Sequence, residues 1–141
     1  MENANEVTLV FDSLPVNESL ARITAASFCT QLNPTLEEVA DLKTAVSEAV
    51  TNSIIHGSEG EIHKIEMKLR IVGQEIYVEI TDHGKGIPDI EKAMEPMYTT
   101  KADKERSGMG FTFMEAFMDD LKVESQVGAG TSVRMKKIIG R

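Results

Sequence analysis

Glu48, Asn52 and His56 stand four residues apart in a segment whose apolar positions recur at three and four. On a helix such residues drift by only about 40° per step and form one polar ridge. A carboxylate, a carboxamide and an imidazole in line could act on a phosphorylated ligand. Mg²⁺ prefers oxygen ligands, keeps several of its waters and commonly takes one or two protein oxygens plus nucleotide phosphates, so a single Asn carbonyl can suffice. A neighbouring Glu could then accept the proton of an attacking hydroxyl. A solvated helix face accounts for the same three residues.

Further along, Asp82-His83-Gly84-Lys85-Gly86-Ile87 puts a carboxylate at the end of a strand, followed by glycines that let backbone approach a flat ligand closely. Asp82 could accept a hydrogen bond from an adenine amino group; a tight turn after an edge strand is the plainer account. Arg106-Ser107-Gly108-Met109-Gly110 opens another helix, whose unpaired amides and positive dipole end suit an anion. Arg106 could add a bidentate contact to terminal phosphate oxygens, or simply be solvated. Gly130-Thr131 opens the last strand, and the Thr131 hydroxyl could reach the same adenine edge as Asp82, directly or through water.

These residues need elements to hold them. Val7, Leu9 and Phe11 alternate with Thr8, Val10 and Asp12, which predicts a first strand ending at Ser13 to Pro15. A helix follows, with Asn17 as N-cap, Glu18 on the helix dipole, and Leu20, Ile23, Ala26, Phe28, Cys29 and Leu32 as apolar positions up to Asn33-Pro34. Thr35 and Glu38 form a capping-box pair for a second helix, apolar at Leu36, Val39, Leu42, Ala45, Val46, Ala49 and Val50, ending near His56-Gly57. Ile65, Met67, Leu69 and Ile71, then Ile76, Val78 and Ile80, predict a hairpin around Gly73-Gln74 with one wet face. A short helical piece near Ile90 to Ala93 and a long polar stretch from Pro96 to Gly108 come next. A helix from Gly110 to Met118 precedes two last strands, Leu121 to Ser125 and Thr131 to Lys137. Strands in runs separated by a few helices indicate an α+β two-layer sandwich, its mixed, mostly antiparallel sheet covered on one face by helices.

The 141 residues suit a single domain, and 41% hydrophobic with 27% charged residues match a globular chain. A formal charge of -8 argues against a partner held through phosphate neutralisation, so no direct nucleic-acid binding is expected. Cys29 is the only cysteine, so no internal disulfide forms, and its apolar surroundings suggest an inert core thiol. The first residues carry no basic region leading into an apolar run, and no stretch approaches the roughly 20 apolar residues of a membrane span. Neither secretion nor membrane insertion is expected, and the expected location is the cytoplasm.

The four pieces occur in one order: E-x-x-x-N on a helix, D-x-G-x-G after a strand, G-x-G before a helix and G-T before a strand. Jointly they resemble the N, G1, G2 and G3 boxes of the GHKL, or Bergerat-fold, ATPases, from residue 48 to residue 131. No G-x-x-x-x-G-K-[ST], H-R-D or D-F-G sequence is present, so P-loop and eukaryotic-type kinase readings fail. Within that superfamily the stretches SEAVTNSIIHG (47–57), ERSGMGFT (105–112) and NESLAR (17–22) resemble the anti-sigma serine kinases of endospore-forming bacteria, and with them the likeness covers essentially the whole chain. The resemblance implies ATP/ADP and Mg²⁺ as cofactors, with Glu48 as general base, Asn52 on Mg²⁺, Asp82 on adenine, and Arg106 with the amides of Gly108, Met109 and Gly110 on phosphates. It extends the nucleotide site to His56, Gly84, Gly86, Ile87, Thr99, Thr100, Lys101, Ser107, Phe111 and Thr131. Residues 97–105 would form a lid that closes over the γ-phosphate. Arg22 would contact protein partners, although physics alone favours an exposed helix charge. The implied partners are a sporulation sigma factor, an anti-anti-sigma substrate phosphorylated on serine, and a second copy of the chain. Two rivals remain: a module that binds ATP only as a structural ligand, and the catalytic domain of a histidine kinase. All readings require Asn52, Asp82 and the amides around residues 108–110 to line a common cavity.

Overall fold

Alternation of apolar and polar residues decides which way each strand faces, and the computed structural model, which describes residues 4–58, 61–83, 110–126 and 130–140, follows that rule closely. Strands β1 (Ala4–Asp12), β2 (Lys64–Val72), β3 (Glu75–Asp82), β4 (Asp120–Gln126) and β5 (Gly130–Ile138) form one five-stranded sheet in the order β1-β2-β3-β5-β4. All four ladders are antiparallel. Ile65, Met67, Leu69 and Ile71 of β2 and Ile76, Val78 and Ile80 of β3 are buried on one face. The other face carries charge: Arg70 lies over the Tyr77 ring opposite it at 4.5 Å, and Arg134 of β5 bonds Glu79 of β3 at 2.6 Å and Glu124 of β4 at 2.7 Å.

Helices α1 (Asn17–Cys29), α2 (Leu36–Ser58) and α3 (Gly110–Phe117) cover the apolar face, with α2 packed against α1, α3, β3 and β5. The expected α+β sandwich is therefore present. Thr35 and Glu38 cap α2 reciprocally: Glu38 N–H donates to Thr35 Oγ1 at 3.1 Å and Thr35 N–H to Glu38 Oε1 at 2.8 Å.

The first helix departs from expectation in two ways. Val16, not Asn17, occupies the N-cap, and no side chain caps it; the Asn17 amide instead turns back to donate to Asp12 O at 2.9 Å. The inward stripe is Ala21, Ala25 and Cys29, while Leu20 and Ile23 are 49% and 59% exposed. Small side chains let α1 lie close against α2, and close approach outweighs the size of the apolar residues on its other side. Its last turn tightens into a 3₁₀ turn, Thr30–Leu32, and Asn33 ends it in the left-handed region at φ 52°. Leu36, placed among the apolar positions of α2, is 90% exposed because it stands at the first position of the helix, before it reaches the core.

One end of the sheet is held by specific hydrogen bonds. Gln74 Nε2 donates to Leu32 O and Ile139 O. Gly140 N–H donates to Glu38 Oε2 at 2.8 Å. Lys137 Nζ donates to Phe117 O, the last carbonyl of α3, at 2.8 Å, 3.9 Å from Asp41 Oδ2 on α2, and Asp119 Oδ2 accepts from Ile138 N–H. Cys29 is buried nearby; burial first, and then the Glu38 charge, push its thiol up to about 11, against a smaller opposing pull from Lys137. That environment bears out an inert core thiol.

Candidate active site

The opposite end of the sheet carries a row of residues, directly across from one another on the helix-facing side: Phe11, Ile65, Asp82, Thr131 and Ser125, taken strand by strand from β1 to β4. Phe11 and Ile65 continue the core, whereas Asp82 places a carboxylate, only 4% exposed, where the alternation of β3 calls for another Ile or Val. A buried carboxylate on an apolar face costs several kcal/mol unless its oxygens are bonded, on the order of the penalties for unpaired buried polar groups. Asp82 does make polar interactions. Beside it, Thr131 Oγ1 lies 2.8 Å from Ser125 Oγ.

Gly130 makes this row possible. Its φ is +109°, and a Cβ there would stand 2.1 Å from Asp82 O and 2.7 Å from His83 Cα. The start of β5 therefore presses backbone against backbone at the carboxylate, a contact that only glycine permits. The G-T pair was legible in the sequence as a turn ending. The reason for its glycine, and the involvement of Ser125, were not, since both depend on register.

The second helix brings the polar ridge to the same end. Its N-terminal turn is fixed at the far end through Glu38 and Gly140, and its last residue, Ser58, precedes the β2 start at Lys64, next to Ile65 of the row, by a short connection. Glu48 and Asn52 are half-buried on its C-terminal half, beside the fully buried Ala49 and Val50, and Glu48 makes polar interactions of its own. The backbone of His56 lies in the last turns of α2. Gly110 is the first residue of α3, the end turned away from the Lys137 anchor. Phe111 is buried in the core, so only its backbone can face a ligand.

The expected roles of Gly84, Gly86, Ile87, Thr99, Thr100, Lys101, Arg106, Ser107, Gly108 and Met109, with the lid and the short helix near residue 90, fall outside the described residues. Arg22 sits in the first half of α1; its Nε bonds Glu18 Oε2 at 2.9 Å and its Nη2 bonds Ser19 Oγ at 3.3 Å, so the NESLAR stretch holds its own arginine half-buried. Sequence reading passed over His63, whose two buried ring nitrogens have no hydrogen-bond partner among the described residues, just before β2 begins.

The chemistry of the donor set suits a nucleotide. A buried carboxylate and a hydroxyl at one sheet end can read a base edge, and a carboxamide and carboxylate on the facing helix are the types a metal-bound polyphosphate needs. Comparison with known proteins agrees. Residues 11–137 match the family described as "Histidine kinase-like ATPase domain". The chain is 58% identical over 140 residues to the anti-sigma F factor of Thermoanaerobacter sp. (strain X514), covering 99% of this chain and 98% of that one. It is 55% identical over 141 residues to the anti-sigma F factor of Caldanaerobacter subterraneus subsp. tengcongensis, covering 100% and 99%. Among solved structures, the RsbU and RsbW domains of Rv1364c from Mycobacterium tuberculosis superpose with a TM-score of 0.69 at 16% identity, covering 97% of this chain and 33% of that one, a likeness of fold alone. The chain belongs to the histidine kinase-like ATPase domain family and, within it, to the group of the anti-sigma F factors. That membership makes it an ATP-using, kinase-like domain.

Proposed function

We propose that this chain is an ATP-dependent serine protein kinase and anti-sigma factor. It transfers the γ-phosphoryl of ATP to a serine of an anti-anti-sigma protein, and in its ATP form it holds a sporulation sigma factor. The observation that carries the reading is Asp82, a carboxylate 4% exposed in a row with Thr131, at the sheet end toward which α2 brings Glu48 and Asn52. The naming of near-full-length relatives as anti-sigma F factors supports the regulatory half.

In this reading Asp82 and Thr131 take the adenine edge and Asn52 offers its carbonyl oxygen to Mg²⁺. Arg106, Ser107 and the amides of Gly108, Met109 and Gly110 take the phosphates, with His56, Gly84, Gly86, Ile87, Thr99, Thr100, Lys101 and the Phe111 backbone completing the site. Bound Mg²⁺ would neutralise phosphate charge and orient the terminal phosphoryl. Glu48 accepts the proton of the substrate serine as its Oγ bonds to phosphorus; the bond from phosphorus to the bridging oxygen breaks, and ADP leaves. Arg22 meets the protein partners, the chain works as a homodimer, and it acts in the cytoplasm. No helix among the described residues is long and apolar enough to cross a membrane.

The test mixes the protein with γ-labelled Mg-ATP and a cognate anti-anti-sigma protein and maps the labelled residue by mass spectrometry. Acid-stable phosphoserine is expected, slowed about 100-fold in Glu48→Gln with nucleotide affinity retained, the usual scale for losing a general base. ATP binding without any transfer would leave only a structural role for the nucleotide. Acid-labile label on histidine would favour the histidine-kinase reading.

A further inference from the structure

The two edges of the sheet are guarded differently. On β4, Leu121 and Val123 pack against the core while Lys122 and Glu124 are exposed on the other face. Charges of that kind on an edge strand discourage a further chain from pairing there. β1 pairs with β2 over nine residues without a bulge and contains no Lys, Arg or Pro, and among the described residues no strand pairs with its other side. Its charges stand towards its ends, Glu6 near one and Asp12 at the other, where it pairs with Lys64 at 2.6 Å. Between them the strand is apolar on both faces, with Val7 exposed on the helix side and Val10 on the outer side.

The first helix extends this surface. α1 packs on α2 and touches β1 and β2, while α2 packs on β3 and β5, so the side of α1 away from α2 lies on the flank that β1 borders. Val16, Leu20 and Ile23 stand at helical spacing on that side, opposite the buried stripe of Ala21, Ala25 and Cys29, and all three are exposed. The helix carries only two charges, Glu18 and Arg22, and they bond each other. Of the eight exposed large hydrophobics among the described residues, six belong to this one unit: Val7, Val10, Leu14, Val16, Leu20 and Ile23. Such a concentration on one flank marks an interaction surface.

A strand alone, added to β1, would leave the α1 stripe bare. Covering both layers takes a partner with an open edge strand and an apolar helix stripe above it, and this chain has that shape. Resting on the homodimer read above, we infer that two copies join through this flank, with β1 antiparallel to the partner's β1 and the two α1 stripes packed across the same two-fold axis. An axis through Thr8, the middle residue of β1, sets all nine residues of each strand opposite one another. Val7 then meets the partner's Leu9, and Glu6 meets the partner's Val10, so no two acidic side chains are opposed. An axis through Leu9 would set Glu6 against the partner's Asp12, a destabilising pair in a chain of formal charge -8. The apolar flank supplies what that net charge opposes, since like-charged copies repel unless they bury surface.

The experiment measures the monomer–dimer Kd of the full chain by sedimentation. Leu20→Glu with Ile23→Glu should raise it about 100-fold, each substitution entering the interface twice. Val10→Lys, a charge on the open edge, should raise it about tenfold. Leu36→Glu, an exposed apolar residue at the start of α2, should leave it unchanged. Thr8→Cys should form a disulfide-linked dimer under mild oxidation, whereas Lys122→Cys on the other edge should not; the natural Cys29 is buried and does not compete. Thermal melts check folding, and the Thr8→Cys link reads the contact even if a charged variant fails to fold. An unchanged Kd in the folded Leu20→Glu, Ile23→Glu variant, or linkage at Lys122→Cys in place of Thr8→Cys, overturns the inference while the dimer stands. A wild-type chain that sediments as a monomer at every concentration is a different result: it removes the homodimer reading, and this inference with it.

Discussion

The two ends of the sheet use polar groups in opposite ways. At the far end every polar group described above holds one element to another: Gln74 ties the hairpin turn to Leu32 and Ile139, Glu38 takes the Gly140 amide, and Lys137 closes the C-terminus of α3. At the site end Asp82, Thr131 and Ser125 interrupt an otherwise apolar face, and the His63 ring nitrogens have no hydrogen-bond partner among the described residues. The far end thus acts as the anchor, and the opposite end carries polar groups on the helix-facing side of the sheet.

The largest expected effect comes from forcing the site end to accept a side chain. A Cβ on Gly130 would meet Asp82 O at 2.1 Å, and the residue would keep a φ of +109°. Gly130→Ala should therefore cost about 3 kcal/mol or more in urea unfolding, the scale of combined strain and overpacking. A loss below about 1 kcal/mol would mean that the β5 start slides freely, and that the site end is softer than the contact implies. Next in size is Lys137→Met at the anchor. The side chain is 11% exposed and bonds the last carbonyl of α3, so its removal orphans that carbonyl and leaves Asp41 without its cation. About 2 kcal/mol of stability should go, while the nucleotide affinity of the folded variant stays within about twofold, as expected of distant sites. Affinity falling in step with stability would break the division between the two ends.

Much of this was legible in the residues. The alternation in β2 and β3, the Thr35–Glu38 capping box and the position of Asp82 at a strand end all follow local rules, and local rules suffice where one face of a strand or one turn of a helix decides the outcome. The first helix was misread for the opposite reason. Which stripe of α1 turns inward depends on what α2 presents to it, and Ala21, Ala25 and Cys29 outrank Leu20 and Ile23 only once the two helices are in contact. The same holds for Asn17, a good cap by type that finds Asp12 O instead. At the site, Glu48, Asn52, Asp82 and Thr131 could be named from spacing, but Ser125 and the reason for Gly130 belong to register: nothing local to VESQ says that its serine will face Thr131 across a ladder.

The smallest effect, and the most specific to the anchor, is a titration. Hydrogen bonds from the amides of Gly140 and Thr35, in that order, hold the Glu38 carboxyl below its ordinary 4.5. With the folded value below the unfolded one, the group's contribution is complete above about pH 4.5 and disappears as pH falls through the folded value. Glu38→Gln keeps a carbonyl acceptor but no charge, so at pH 7 it should cost about 0.5 kcal/mol, the lower range for a cap. Urea midpoints of the two proteins should then converge as pH falls below the folded value, where both side chains are neutral. A gap that persists unchanged to that pH would mean that the charge of Glu38 does not stabilise its bonds to the two amides, and that the C-terminal staple depends on geometry alone.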